Sequence, residues 1–237
     1  MRILAVLVVL AVVFGGVDAW LIVRHNSAAS ASDSSLRPSG IPAAVSTRAA
    51  NLMQLAPVPH KAAPGFHLTD QRGRSFSLSQ FRGKVVVLEF MDPHCTDICP
   101  LVAQEFVDAY HDLGRQARDV VFAAVNVNQY FEAPAYVMAF SREHGLTAIP
   151  DWHFFTGATP ALQAVWRAYD IAVEAPNPKG DIIHTSLVYF IGRDGTERFL
   201  ASPMVDHTAD GTAFLPAATL RAWGEGIATV ARSLLAH

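Results

Sequence analysis

Residues 84–100 read KVVVLEFMDPHCTDICP: an apolar run of strand length that stops at Asp-Pro and then presents both cysteines of the chain, Cys95 and Cys99. A run with no polar alternation is the pattern of a strand buried on both faces, as in a parallel sheet covered by helices. Downstream, residues 100–117 place Leu101, Val102, Phe106, Val107 and Tyr110 at helical spacing. DVVFAAVNVN, residues 119–128, repeats the buried-strand pattern, and residues 133–146 read as a helix closed by Gly145. DWHFFTG, 151–157, is a further strand, followed by a helix over 159–171 with a Thr159 cap and Pro160 in its first turn.

Residues 181–192, DIIHTSLVYFIG, read as one strand that turns at RDG and pairs back through TERFLAS. A helix over 216–235 closes the chain, and upstream PGFHLTDQRGRSFSL gives two short strands around a Gln71-Arg72-Gly73 turn. Strands alternating with helices, with one late hairpin, predict an α/β fold: a mixed central sheet flanked by helices. Trp152, Phe154, Phe155, Trp166 and Tyr169 fall at strand and helix spacing and are assigned to the core.

The 237 residues are 51% apolar, enough for one sizeable domain with residues left over. Charged residues make up 16% and the net charge is −3, with no basic block, which argues against a nucleic-acid partner. The surplus lies at the N-terminus. Residues 3–23, ILAVLVVLAVVFGGVDAWLIV, carry one charge, Asp18, between Arg2 and Arg24. At about 1.5 Å per residue such a run just crosses a hydrocarbon core of about 30 Å. It reads as a membrane anchor within residues 1–25, because AWLIV continues the apolar run. Small residues at Val17-Asp18-Ala19 also suit a signal peptide, and cleavage after Ala19 gives a secreted form. Residues 26–59 open with a Ser, Ala and Pro-rich stretch and are assigned to a tether, leaving 60–237 as the domain. An anchor, a tether and a head imply a domain held on the extracytoplasmic side of a cell membrane.

Two cysteines are too few for a disulfide framework. They form a structural disulfide, a redox pair, half of a metal site, or two buried thiols. The motif follows a buried strand and opens a helix, the sheet edge where α/β proteins bind ligands. Pro100 suits a first helical turn and biases Cys99 away from helical geometry, which places Cys99 at the helix N-cap with Asp97 nearby. A thiolate at a helix N-terminus is stabilised. Closing so short a loop removes little chain entropy, so a purely stabilising disulfide gains little. Two thiolates on one loop select a soft ion such as Cu(I), or zinc, and need a third ligand from elsewhere, with histidine the first candidate.

There are ten histidines. His25 and His60 lie in or near the tether, and His237 is terminal. His111 and His144 sit on helices among charged neighbours and read as solvated. His67 and His153 read as strand residues hydrogen-bonded in the core, and His94 as turned away from Cys95. Spacing alone does not single out His184. Met204 and His207, in residues 201–215, are a soft thioether and an imidazole near each other and invite a second metal-site reading, with a mobile surface loop as the plainer one.

Three stretches together resemble the Sco/SenC family of thioredoxin-fold copper proteins that serve cytochrome c oxidase assembly. GKVVVLEF leads into CTDICP, similar to the family's C-P-D-I/V-C-P, and HTSLVYFIGRDG is similar to its D-H-S/T…Y-L-I-x-x-x-G. The resemblance spans about residues 60–237. It implies a thioredoxin-like fold and copper, as Cu(I) or Cu(II), held by Cys95, Cys99 and His184. The implied partner is a copper-site subunit of cytochrome c oxidase or another copper chaperone. The chain departs from the pattern at Thr96, at Ile183 where the family has an aspartate (Asp181 is two residues back), and at VNVNQYFEA. These departures leave the three ligands intact and bear on what orients the imidazole. A thiol–disulfide oxidoreductase using the Cys95/Cys99 redox pair on extracytoplasmic proteins needs no His184. A peroxiredoxin-like peroxidase is suggested only by the APGFHLTDQRGRSFSLSQFRGK stretch.

Overall fold

The two long apolar runs can lose their water on both faces only if they lie side by side between helices, and they do. A computed structural model describes residues 38–180 and 182–236. The chain opens with α1 (Thr47–Leu52), β1 (Ala56–Pro57) and the hairpin β2 (His67–Thr69) and β3 (Ser75–Ser77). Then come β4 (Val85–Met91), α2 (Ile98–Leu113), β5 (Val120–Asn126), α3 (Pro134–Glu143), β6 (Trp152–Phe155) and α4 (Thr159–Ala168). The C-terminal part holds β7 (Val173–Glu174), β8 (Ile183–His184), β9 (Val188–Ile191), β10 (Glu197–Ala201), β11 (Asp206–His207), β12 (Ala213–Phe214) and α5 (Ala217–Leu235).

The main sheet has the order β1-β10-β9-β4-β5-β6. β4 runs parallel to β5, from Val85 opposite Val120 to Met91 opposite Asn126, and β5 runs parallel to β6. β9 pairs with β4 antiparallel, and β10 returns on β9 as the expected hairpin. Every residue of β4 and β5 is buried. Side chains alternate between two cores. Val85, Val87 and Met91 join the core under α2 and α5, and Val86, Leu88 and Phe90 join the core that holds Trp166 and Tyr169. All five aromatics assigned to the core are buried.

Four expectations change. The stretch 26–59 is not all tether: Ser46 Oγ accepts the Ala49 N–H at 3.1 Å to cap α1, and Ile41, Val45, Ala50, Met53 and Leu55 are buried. Its Ala- and Ser-rich composition hid five core residues. Residues 181–192 are not one strand. Thr185 N–H bonds the Ala172 carbonyl, so β8 pairs with β7, and the chain then steps across to pair β9 with β4. His67 is exposed on its hairpin and bonds Ser77 Oγ, whereas His153 is buried as expected. Residues 206–214, read as a mobile surface loop, hold a two-stranded ribbon, β11 with β12.

The apolar run at 3–23 and Asp181 lie outside the described residues. Among the described residues no helix is long and apolar enough to cross a membrane.

Candidate metal centre

The parallel strands β4 and β5 end together, and the residues just beyond each strand shape the site. After β4, Asp92 is buried and its Oδ1 accepts the His94 N–H at 2.8 Å, while its carbonyl accepts the Cys95 N–H at 3.1 Å. This is a side-chain-stabilised turn of the kind Asp favours. After β5, Asn128 donates from Nδ2 to the same Asp92 Oδ1 at 2.9 Å, and Asn126 Oδ1 accepts the Asn128 N–H. The two strand ends are thus bolted together beneath the cysteine loop. The His94 ring stacks on Phe131, centroids 3.7 Å apart. None of Asp92, Asn126, Asn128 and Phe131 was singled out from sequence. Asp92-Pro93 as a turn signal, and the unusual VNVNQYF after a buried strand, were the available clues.

Asp97 is the N-cap of α2, and its side chain makes no capping bond. Cys99 therefore lies within the first helical turn, not at the N-cap. The first-turn N–H groups have no intrahelical acceptor, so Pro100 can follow at no hydrogen-bonding cost. The Cys99 N–H instead finds Cys95 Sγ at 3.4 Å. Cys95 is half-buried, Cys99 is 2% exposed, and both are free thiols. The Cys99 thiol hydrogen-bonds to Cys95 and, with backbone N–H groups, brings the Cys95 pKa down to about 7 against the cost of burial. The same bond, burial and the nearby Cys95 charge push Cys99 well above the ordinary thiol value.

His184 reaches the site from β8. Val173 pairs with it across the ribbon, and the Ala172 N–H bonds Thr185 Oγ1 at 3.2 Å. Its Nδ1 lies 3.0 Å from the Thr185 carbonyl. A carbonyl only accepts, so Nδ1 carries the proton and Nε2 keeps a free lone pair. Burial lowers the pKa of His184, opposed by the Thr185 carbonyl and the Asp92 charge. A neutral imidazole with a free Nε2 is the form that binds metals.

A cavity of about 690 Å³ is lined by Cys95, His184, His94, Asp97, Phe131 and His207 among others. Of the three expected ligands, Cys95 and His184 line this cavity, and Cys99 lies buried beneath the loop. Among the described residues no set of three or more His, Cys, Asp or Glu side chains is gathered tightly enough to hold an ion. The donor set nevertheless suits a soft metal: one thiol already disposed to ionise, a second hydrogen-bonded to it, and a neutral imidazole. His111 is exposed as expected. His144 is half-buried against Phe140, with ring centroids 4.3 Å apart. Met204 packs on the core, whereas His207 is exposed and its Nε2 lies 2.8 Å from Asp97 Oδ1.

The chain matches the SCO1/SenC family model over residues 56–209. It is 25% identical over 141 residues to the SCO1 protein homolog of Bacillus subtilis (strain 168), covering 59% of this chain and 72% of that protein. It is 30% identical over 141 residues to the mitochondrial SCO2 homolog of Homo sapiens, covering 55% of this chain and 50% of the human protein. The structure of Bradyrhizobium japonicum ScoI with copper bound superposes with a TM-score of 0.57 at 24% identity, covering 74% of this chain and all of that one (100%). The mixed central sheet with flanking helices thus matches the thioredoxin-like Sco structures, and with the match across residues 56–209 the chain belongs to the SCO1/SenC family.

Proposed function

We propose that this protein binds copper through Cys95, Cys99 and His184 and delivers it for cytochrome c oxidase assembly, from an extracytoplasmic position held by the N-terminal apolar run. The observation that carries this reading is the shared cavity: a thiol ionising near pH 7 and a neutral imidazole with a free Nε2 line one space at the sheet's ligand-binding edge. Copper-bound structures of ScoI from Bradyrhizobium japonicum and Arabidopsis thaliana support copper as the metal. Holding one ion through all three side chains requires His184 and the cysteine loop to come together, since no such set is gathered among the described residues. Two thiolates and one imidazole satisfy Cu(I) in three-coordination. The acceptor is a thiol- or imidazole-bearing copper site, such as that of an oxidase subunit or another chaperone, and transfer proceeds by ligand exchange at the exposed side of Cys95.

Anaerobic loading of the reduced full chain in detergent, with removal of excess metal, tests the ligand set. One retained copper per chain is expected, lost in Cys95→Ser, Cys99→Ser and His184→Ala. Retention of copper in His184→Ala at the parent's affinity overturns the set.

The unequal thiols favour a second reading. An accessible Cys95 thiolate beside a buried Cys99 thiol is the division of labour between attacking and resolving cysteines. A thiol–disulfide oxidoreductase built on this pair would keep its exchange rate in His184→Ala, and that variant separates the two readings.

A further inference from the structure

The ribbon β11–β12 brings a second imidazole to the same cavity. His207 and Ala213 line it together with Cys95 and His184. His207 Nε2 lies 2.8 Å from Asp97 Oδ1, and Asp97 sits inside the cysteine loop, two residues from each cysteine. A carboxylate only accepts, so in the neutral ring the proton is on Nε2 and the lone pair is on Nδ1. An imidazole held through one nitrogen by a carboxylate, with the other nitrogen free, is the usual setting of a metal-binding histidine. His184 is held in the same way through its Nδ1 by the Thr185 carbonyl. The carboxylate is also diverted to this contact. Asp97 stands at the N-cap of α2, where Asp ordinarily accepts a helical N–H, yet it makes no such bond.

We propose that His207 is a fourth copper ligand, binding through Nδ1, recruited for Cu(II) and idle for Cu(I). The proposal rests on the copper reading above. Two thiolates and one imidazole complete a Cu(I) site, whereas Cu(II) favours four ligands in a tetragonal arrangement with nitrogen donors. The ribbon supplies that fourth donor. Because Asp97 belongs to the cysteine loop, the contact that orients His207 also fixes the ribbon's place beside Cys95. Binding through Nδ1 leaves the Asp97 bond in place. The ribbon thereby holds in place a donor that Cu(II) uses and Cu(I) does not.

The test uses the full chain in detergent, loaded anaerobically with Cu(II) or with Cu(I), each titrated against a competing chelator. Pulsed EPR of the Cu(II) form counts coordinated imidazoles through their remote nitrogens. Two are expected in the parent and one in His207→Gln, whose amide still donates to Asp97 and preserves the ribbon contact. Cu(II) affinity falls by roughly tenfold or more in that variant, while Cu(I) affinity is unchanged. His184→Ala loses an imidazole and weakens both oxidation states. One imidazole in the parent, or two retained in His207→Gln, overturns the role of His207 and leaves the three-ligand site standing. A parent chain that holds no copper overturns both.

Discussion

The Cys99 N–H and the Cys99 S–H both serve the sulfur of Cys95, so the two thiols, four positions apart, have opposite acidities. Cys95 is lowered from 9.0 to about 7, and Cys99 is raised. Alkylation of the reduced chain by iodoacetamide is therefore expected to rise with a midpoint near pH 7 and to give one adduct, at Cys95. Removing the donor in Cys99→Ala should move that midpoint upward, because the Cys99 thiol is the largest cause of the shift. Equal labelling of both cysteines in the folded chain, or a midpoint unmoved in Cys99→Ala, would show that the sulfurs do not share a proton in this way. The same asymmetry gives copper uptake a pH dependence. Protons compete for Cys95 below pH 7, so affinity for copper falls as the solution is acidified through that value.

Helix α5 lies against α2 with almost no space between the backbones, and Gly224 in WGEGI makes this possible. A Cβ on Gly224 would sit 2.6 Å from Asp108 Cβ, 3.2 Å from the Ala109 nitrogen and 3.3 Å from the Glu105 oxygen. On Gly226 it would meet Met53 Sδ, which comes from the segment just after α1. Gly224→Ala gains about 1 kcal/mol of helix propensity but forces the two helices apart, at about 1–3 kcal/mol. A net loss in urea midpoint is expected, without change in the Cys95 alkylation rate. Gly226→Ala should cost less, since the end of a Met side chain can move. A stabilised Gly224→Ala chain would mean that the helices are not in contact there.

The long elements were legible because each is dictated by a local pattern: uninterrupted Val and Phe for β4 and β5, helical spacing for α2 and α5. The features that escaped notice depend on distant partners. Met53 is a core residue because α5 covers it at Gly226, and β8 separates from β9 because Ala172 captures Thr185. In the site, both cysteines stood out by position, His184 only by family resemblance, and the Asp92–Asn128 bolt not at all. That bolt joins residues 36 positions apart, and no local pattern announces it.

At the scale of the whole molecule, the unusual feature is a core that keeps two carboxyl groups on the side of α2 and α5. Glu89 lies in β4 at 1% exposure, and its Oε1 accepts the Ser186 hydroxyl at 2.9 Å, tying the main sheet to the segment that carries His184. Its Oε2 has no hydrogen-bond partner among the described residues, and neither does either oxygen of Glu105 in α2. Burial raises Glu89 from 4.5 to about 8, while the Ser186 hydroxyl and backbone N–H groups work the other way. Glu105 is also raised, by burial first and then by Glu89 and Asp108. The folded chain thus holds the Glu89 proton up to about pH 8, whereas the unfolded chain releases it near 4.5. The unfolded state binds fewer protons in that interval, so stability falls as pH rises through it and levels off above. Each pH unit is worth about 1.4 kcal/mol, a total on the order of 4–5 kcal/mol. Glu89→Gln keeps an acceptor for Ser186 and has no proton to lose. Its thermal midpoint should match the parent at pH 4.5 and exceed it by a margin that widens to pH 8 and then stays constant. Taking the difference between the two chains cancels the opposite contribution of Cys95, whose stabilising effect is complete above pH 9 and is lost as pH falls through 7. Two melting curves separated by the same interval at every pH would mean that Glu89 is ionised inside the fold, and that some cation or donor reaches it there.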